Sequence, residues 1–90
     1  MTEIVTEHRV VFTAFNGYVN QHDYARSRSA YEKLEGIREL YTIKGYTLEN
    51  RTRENGVLLE TWTKPGCPNM IISRREVQKE YYYDDLILGE

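Results

Sequence analysis

The sequence predicts an α+β fold in which one long helix packs on one face of an antiparallel sheet, in the order β-α-β-β-β. Three observations predict it. Within residues 21–44, Ala30, Leu34, Ile37 and Tyr41 fall within about 60° of one another at helical spacing. Within residues 46–64, two β-patterned runs flank Asn55-Gly56, the dipeptide favoured by a tight type I′ hairpin. Residues 4–15 are rich in β-branched and aromatic side chains, as strands prefer. Ninety residues, 40% of them apolar, are expected to form one small domain over residues 1–90 with a lean core. A chain this short buries only roughly 60–70% of its unfolded surface.

In the first strand, His8, Val10, Phe12 and Ala14 share the face assigned to the core. Arg9, Val11, Thr13 and Phe15 share the other, which is not fully polar, so partial cover is expected there too. Asn16-Gly17 signals a turn. The helix then begins at residue 21, with Asn20 as an N-cap type and Asp23 near the positive end. Gly36 costs about 1 kcal/mol relative to alanine in a helix interior, and either permits close approach to the sheet or marks a bend. Lys44-Gly45 ends the helix with a late cation and a left-handed glycine.

In the hairpin, Tyr46, Leu48, Asn50, Thr52, Val57, Leu59, Thr61 and Thr63 share one side. Thr47, Glu49, Arg51, Arg53, Leu58, Glu60, Trp62 and Lys64 share the other. With a two-residue turn, Arg51 faces Glu60 and Glu49 faces Trp62. The first side is the expected core face, so the sheet contributes Val10, Phe12, Leu48, Val57, Leu59 and Ile71 or Ile72. The side bearing Trp62 then looks outward.

Pro65-Gly66-Cys67-Pro68-Asn69 is a stiff connection to a strand starting at Met70. Extension to about Val77–Tyr82 would complete a three-stranded sheet with the hairpin. The alternative is a short C-terminal helix, because Ser73-Arg74-Arg75-Glu76 matches a capping box. Leu86-Ile87-Leu88 is too apolar for a free tail and is expected to dock on its own domain or on another chain.

Composition narrows the function. No apolar run approaches the ~18–20 residues of a membrane span. Met1–Glu7 is polar and acidic, unlike the basic-then-apolar start of a signal peptide, so a cytoplasmic location is expected, in the host cytoplasm if the gene is a phage's. One cysteine, Cys67, makes no internal disulfide or cysteine-rich zinc site, and His8 and His22 lack metal-ligand spacing. There is no nucleophile-elbow motif, phosphate-cradling glycine loop or calcium-loop pattern. The expectation is therefore a protein that is not an enzyme and carries no cofactor or metal.

What remains is surface chemistry. Twelve Lys and Arg stand against fourteen Asp and Glu, and no segment is strongly basic. Eight tyrosines, one tryptophan and a surplus of arginine over lysine are enriched in types that anchor protein interfaces. The outer hairpin face, Glu49, Arg51, Arg53, Leu58, Glu60 and Trp62, mixes both charge signs with apolar area, as interfaces do; Tyr81, Tyr82 and Tyr83 supply a second contact. The leading expectation is a protein-binding module that occupies a surface of a larger protein, in its concrete form a phage or mobile-element accessory protein that inhibits a host or defence protein. One alternative is single-strand nucleic-acid binding, with Arg51, Arg53 and Trp62 stacking on bases. Another is a homodimer formed through the C-terminal segment.

Overall fold

A computed structural model describes residues 2–82. Helix α1 (Ser27–Ile43) lies on one face of a five-stranded antiparallel sheet, an α+β fold. The strands are β1 (Thr2–Thr13), β2 (Val19–Tyr24), β3 (Thr47–Glu54), β4 (Val57–Thr63) and β5 (Met70–Tyr82), in the spatial order β2-β1-β5-β4-β3. The expected order holds for β1, α1, β3, β4 and β5, and a further strand, β2, stands between β1 and α1.

β2 occupies residues expected to open the helix. The Asn16-Gly17 turn sends the chain straight back along β1: Gly17 has φ 90°, the Asn16 side chain accepts from the Tyr18 amide, and the Ala14 amide donates to the Tyr18 carbonyl. Pairing from Thr13↔Val19 to His8↔Tyr24 then satisfies backbone groups that a frayed helix end would leave open. The helix starts instead at Ser27, behind Arg26, whose extended backbone forms a cap without a side-chain hydrogen bond. Its far end is as expected: Gly45 has φ 92° and donates to the Thr42 carbonyl.

β5 is a strand throughout, so the capping-box helix at Ser73 does not form. The reason lies in its neighbour, since β5 pairs with β1 from Thr2↔Tyr82 to Phe12↔Ile72. Those ladder bonds replace what a helix would have supplied, in a stretch whose tyrosines and valine favour extension.

The core consists of Val10, Ala30, Leu34, Ile37, Tyr41, Tyr46, Leu58, Trp62, Met70 and Ile72, with Phe12 and Tyr24 packed against it. The predicted helical stripe is buried, as are Val10 and Ile72. Tyr46 is buried as expected, but from Asn50 to Thr63 the hairpin faces are the reverse of those expected. Leu58 and Trp62 are each 7% exposed and Glu60 is fully buried, whereas Leu59 is 42% exposed. The pairings Trp62↔Met70 and Glu60↔Ile72 put the tryptophan side under the helix. An indole offers far more apolar surface than the threonines and asparagine of the other side. That side wins the helix once Glu60 is compensated, which three donors achieve.

The turn itself is as expected. Asn55 and Gly56 have φ 53° and 76°, and Arg51 lies opposite Glu60. The partner of Trp62, however, is Leu48 rather than Glu49, because the ladder slips between Leu48 and Asn50 and Glu49 is the extra residue. A Cβ at Gly36 would meet open space, so this glycine does not serve close packing.

Candidate functional site

Three features of the structure could serve function: a buried charge cluster, a basic cavity beside it, and a projecting β-arm. The cluster is centred on Glu60. Its carboxylate accepts from Arg38 Nε at 3.1 Å, Arg51 Nε at 2.9 Å and Trp62 Nε1 at 3.0 Å, and Arg38 closes a second bond to the same group. Arg38 also donates to Glu35 at 2.5 Å. Burial alone would push the Glu60 carboxyl up, but the bonds from Arg38, Trp62 and Arg51 outweigh it and hold the group below its ordinary value. Two arginines and two glutamates neutralise one another here, so the cluster is structural: it admits a charge to the core and pins α1 across β3 and β4.

The cavity lies alongside it, between α1 and β1, β3, β4 and β5. It has a volume of about 320 Å3 and is lined by His8, Tyr31, Leu34, Arg38, Arg53, Leu58, Arg74, Arg75 and Glu76. The strand register explains the convergence. Arg53 pairs with Leu58 and Leu58 with Arg74, and in the next row His8 pairs with both Glu76 and Tyr24, so two adjacent rows of residues cross the helix-side face. Leu34 and Leu58 are buried and form apolar walls. Arg74 reaches the start of the helix, donating to the Ser27 hydroxyl at 2.7 Å and to its carbonyl at 3.3 Å. Among the described residues, Arg53, Arg74 and Arg75 form no salt bridge.

The arm arises because β1 and β5 outrun their neighbours. β2 pairs with β1 only from His8 onward, and β4 pairs with β5 only up to Arg74. Thr2–Glu7 and Val77–Tyr82 therefore form a two-stranded ribbon about 20 Å long at ~3.3 Å per residue. It draws the molecule out to 54 × 28 × 19 Å. Ile4, Tyr81 and Tyr82 are exposed on it. At its base, Asp23 accepts from Arg9 Nε at 2.9 Å and pairs with Lys79 at 2.5 Å, and Lys79 lies 3.4 Å from Glu7. The Arg9 bond and then the Lys79 bond bring the Asp23 carboxyl down to about 2. Tyr81 donates to Glu7 at 2.5 Å, and this bond pushes the phenol up.

The residues expected to form one outward surface are thus divided. Leu58, Glu60 and Trp62 are core, which corrects the expectation that they anchor a partner; a buried indole bound to Glu60 offers no platform for base stacking either. Arg51 is half-exposed but engaged with Glu60. Glu49 is exposed at the bulge, and Arg53 is exposed at the cavity. Tyr81 and Tyr82 are on the arm, while Tyr83 and the Leu86–Leu88 segment lie outside the described residues. Sequence reading missed the grouping of Arg38, Arg53, Arg74 and His8; the Arg74-Arg75 pair was the visible signal, but only the register shows what faces it.

Among the described residues, no three histidines, cysteines or acidic groups are placed to hold a metal, and no helix is long and apolar enough to cross a membrane. Cys67 is exposed and unpaired with any other cysteine. The chain matches no protein-family model, no curated protein and no solved structure, so its function is argued from this geometry alone.

Proposed function

We propose that this chain is a non-enzymatic protein-binding module that engages a larger protein through the β1–β5 arm. One observation carries the reading: among the described residues, both outer edges of the arm, along Thr2–Glu7 and along Arg75–Tyr82, lack a neighbouring strand. Unpaired strand edges are templates for an added strand, and a two-stranded ribbon alone is only marginally stable in water. Glu3, Glu7 and Glu80 outnumber Lys79 on the arm, which favours an extended basic segment as the partner. Exposed Ile4, Tyr81 and Tyr82 supply apolar contact between these charges. An accessory protein inhibiting a host or defence protein, of phage or mobile-element type and acting in the cytoplasm, is the concrete form of this proposal.

The test is affinity capture from the native cell with nuclease present, comparing the wild type with a Glu3→Lys/Glu80→Lys variant. The wild type should enrich a partner that the variant loses at least tenfold, while Arg53→Gln retains it. Equal recovery by the arm variant, or capture abolished by nuclease, would overturn the proposal. Sedimentation at twice 10.7 kDa in pure solution would replace the external partner with a second copy.

A further inference from the structure

We infer that the cavity between α1 and the β3–β4–β5 face binds a small phosphate ester of about mononucleotide size. Arg38 is consumed by Glu60 and Glu35, but Arg53 and Arg74 share the helix-side face with a single lining carboxylate, Glu76, while Arg75, the next residue along β5, alternates to the opposite face. That leaves a surplus of one positive charge in the recess, carried by two guanidinium groups that form no salt bridge among the described residues. A phosphate monoester presents three acceptor oxygens, enough to accept from both guanidinium groups at once, where a carboxylate has two. Like charges gathered in a recess repel, and no described carboxylate other than Glu76 relieves them. Guanidinium groups offer planar, paired donors suited to phosphate oxygens.

The rest of the lining describes the rest of the ligand. Leu34 and Leu58 are apolar walls, and the Tyr31 ring, 53% exposed, stands at the rim, where it can lie against an aromatic or aliphatic group. A volume of 320 Å3 lies at the lower end of the roughly 300–1,000 Å3 typical of small-molecule sites, so it suits one nucleotide-sized molecule rather than a polymer. This site is separate from the arm and does not depend on the protein-binding proposal.

The experiment is a titration of isotope-labelled protein at fixed ionic strength, following arginine Nε–H and backbone amide signals. The probes are inorganic phosphate, adenosine and uridine 5′-monophosphates, and an unphosphorylated thymidine oligonucleotide. The variants are Arg53→Gln and, as a charge-matched control on the exposed helix surface, Arg28→Gln. Saturable shifts should appear at Arg53, Arg74 and Leu58. At least one monophosphate should bind tenfold or more tightly than inorganic phosphate, and Arg53→Gln should weaken it at least tenfold while Arg28→Gln changes it less than twofold. Equal binding of inorganic phosphate, non-saturating shifts, equal loss in both variants, or tighter binding of the oligonucleotide would each overturn the inference. Arg53 is exposed and outside the Glu60 cluster, and an unchanged urea midpoint for Arg53→Gln verifies that its effect is on the site.

Discussion

Replacing Glu60 with alanine should destabilise the fold by about 3–4 kcal/mol, because it strands the charge that Glu60 neutralises in the core. The magnitude follows from the exposures. The Glu60 side chain is 0% exposed and that of Arg38 16%, so this pair is effectively internal, whereas Arg51 at 42% is largely solvated. Removing one partner of a buried pair typically costs about 3–5 kcal/mol, while an exposed pair is worth roughly 0–1. Arg38 keeps its bond to half-exposed Glu35, which places its share toward the low end. The Trp62 indole also loses its acceptor, at a typical cost of about 1–3 kcal/mol for an unsatisfied buried donor. These terms overlap, since relaxation around one relieves the other, so their sum is an upper bound.

Urea unfolding followed by the fluorescence of the single tryptophan measures this directly. At an m-value of ~1 kcal/mol/M, the midpoint should fall by about 3 M. A double-mutant cycle with Arg38→Met should give a coupling of at least ~1.5 kcal/mol, near the middle of the range for residues in one charged network. An Arg38→Met/Glu60→Leu variant should recover at least half the loss, because the stranded charge is gone. A loss below ~1 kcal/mol in Glu60→Ala, or a coupling near zero, would refute the reasoning and reduce the cluster to ordinary surface electrostatics.

Three further outcomes follow from the same geometry. Leu58→Ala should cost about 2–5 kcal/mol and Leu59→Ala under ~1, although the two leucines are adjacent, because only Leu58 faces the helix; comparable urea midpoints would reverse the face assignment. Gly36→Ala should stabilise by up to about 1 kcal/mol, since the position is exposed, helical and has free space for a Cβ; a lower melting temperature would contradict this. Asp23 has its folded pKa lowered from 3.8 to about 2, so its contribution is present above pH ~4 and is lost as the pH falls toward 2. Asp23→Asn should flatten the dependence of stability on pH across that window, and an unchanged slope would remove the Arg9–Asp23–Lys79 cluster as its source.

What could be read from the sequence was set by local rules. The helical stripe Ala30-Leu34-Ile37-Tyr41, the Asn55-Gly56 turn, and the glycine end at Gly45 each depend on residues within a few positions of one another, and each is present. β2 is not legible locally, because Asn20 and Asp23 suit a helix start, whereas the bonds that win come from β1, on the far side of a turn. β5 was ambiguous for the same reason: a capping box is visible at short range, and the edge of β1 is not. The hairpin faces failed differently. Counting polar residues assigns Arg51, Arg53 and Glu60 to solvent, but a glutamate can be buried when donors surround it, and Arg38, on another element, is the donor no period-2 pattern reveals.

This error bears on how function is read from composition. Composition points to tryptophan and arginine as interface anchors because such residues dominate binding hot spots, yet here Trp62, Arg38 and Arg51 are spent on one internal carboxylate. The same residue types solve the same physical problem in a core as at an interface: they cover apolar area while satisfying a buried charge. Composition therefore cannot separate the two uses, but pairing can. An arginine whose partner is a buried glutamate of its own chain is structural, and an arginine in a recess without a carboxylate partner is the one whose binding role is worth testing. By that criterion Trp62, Arg38 and Arg51 are structural, and the proposals made above rest instead on Arg53 and Arg74 at the cavity and on the unpaired strand edges of the arm.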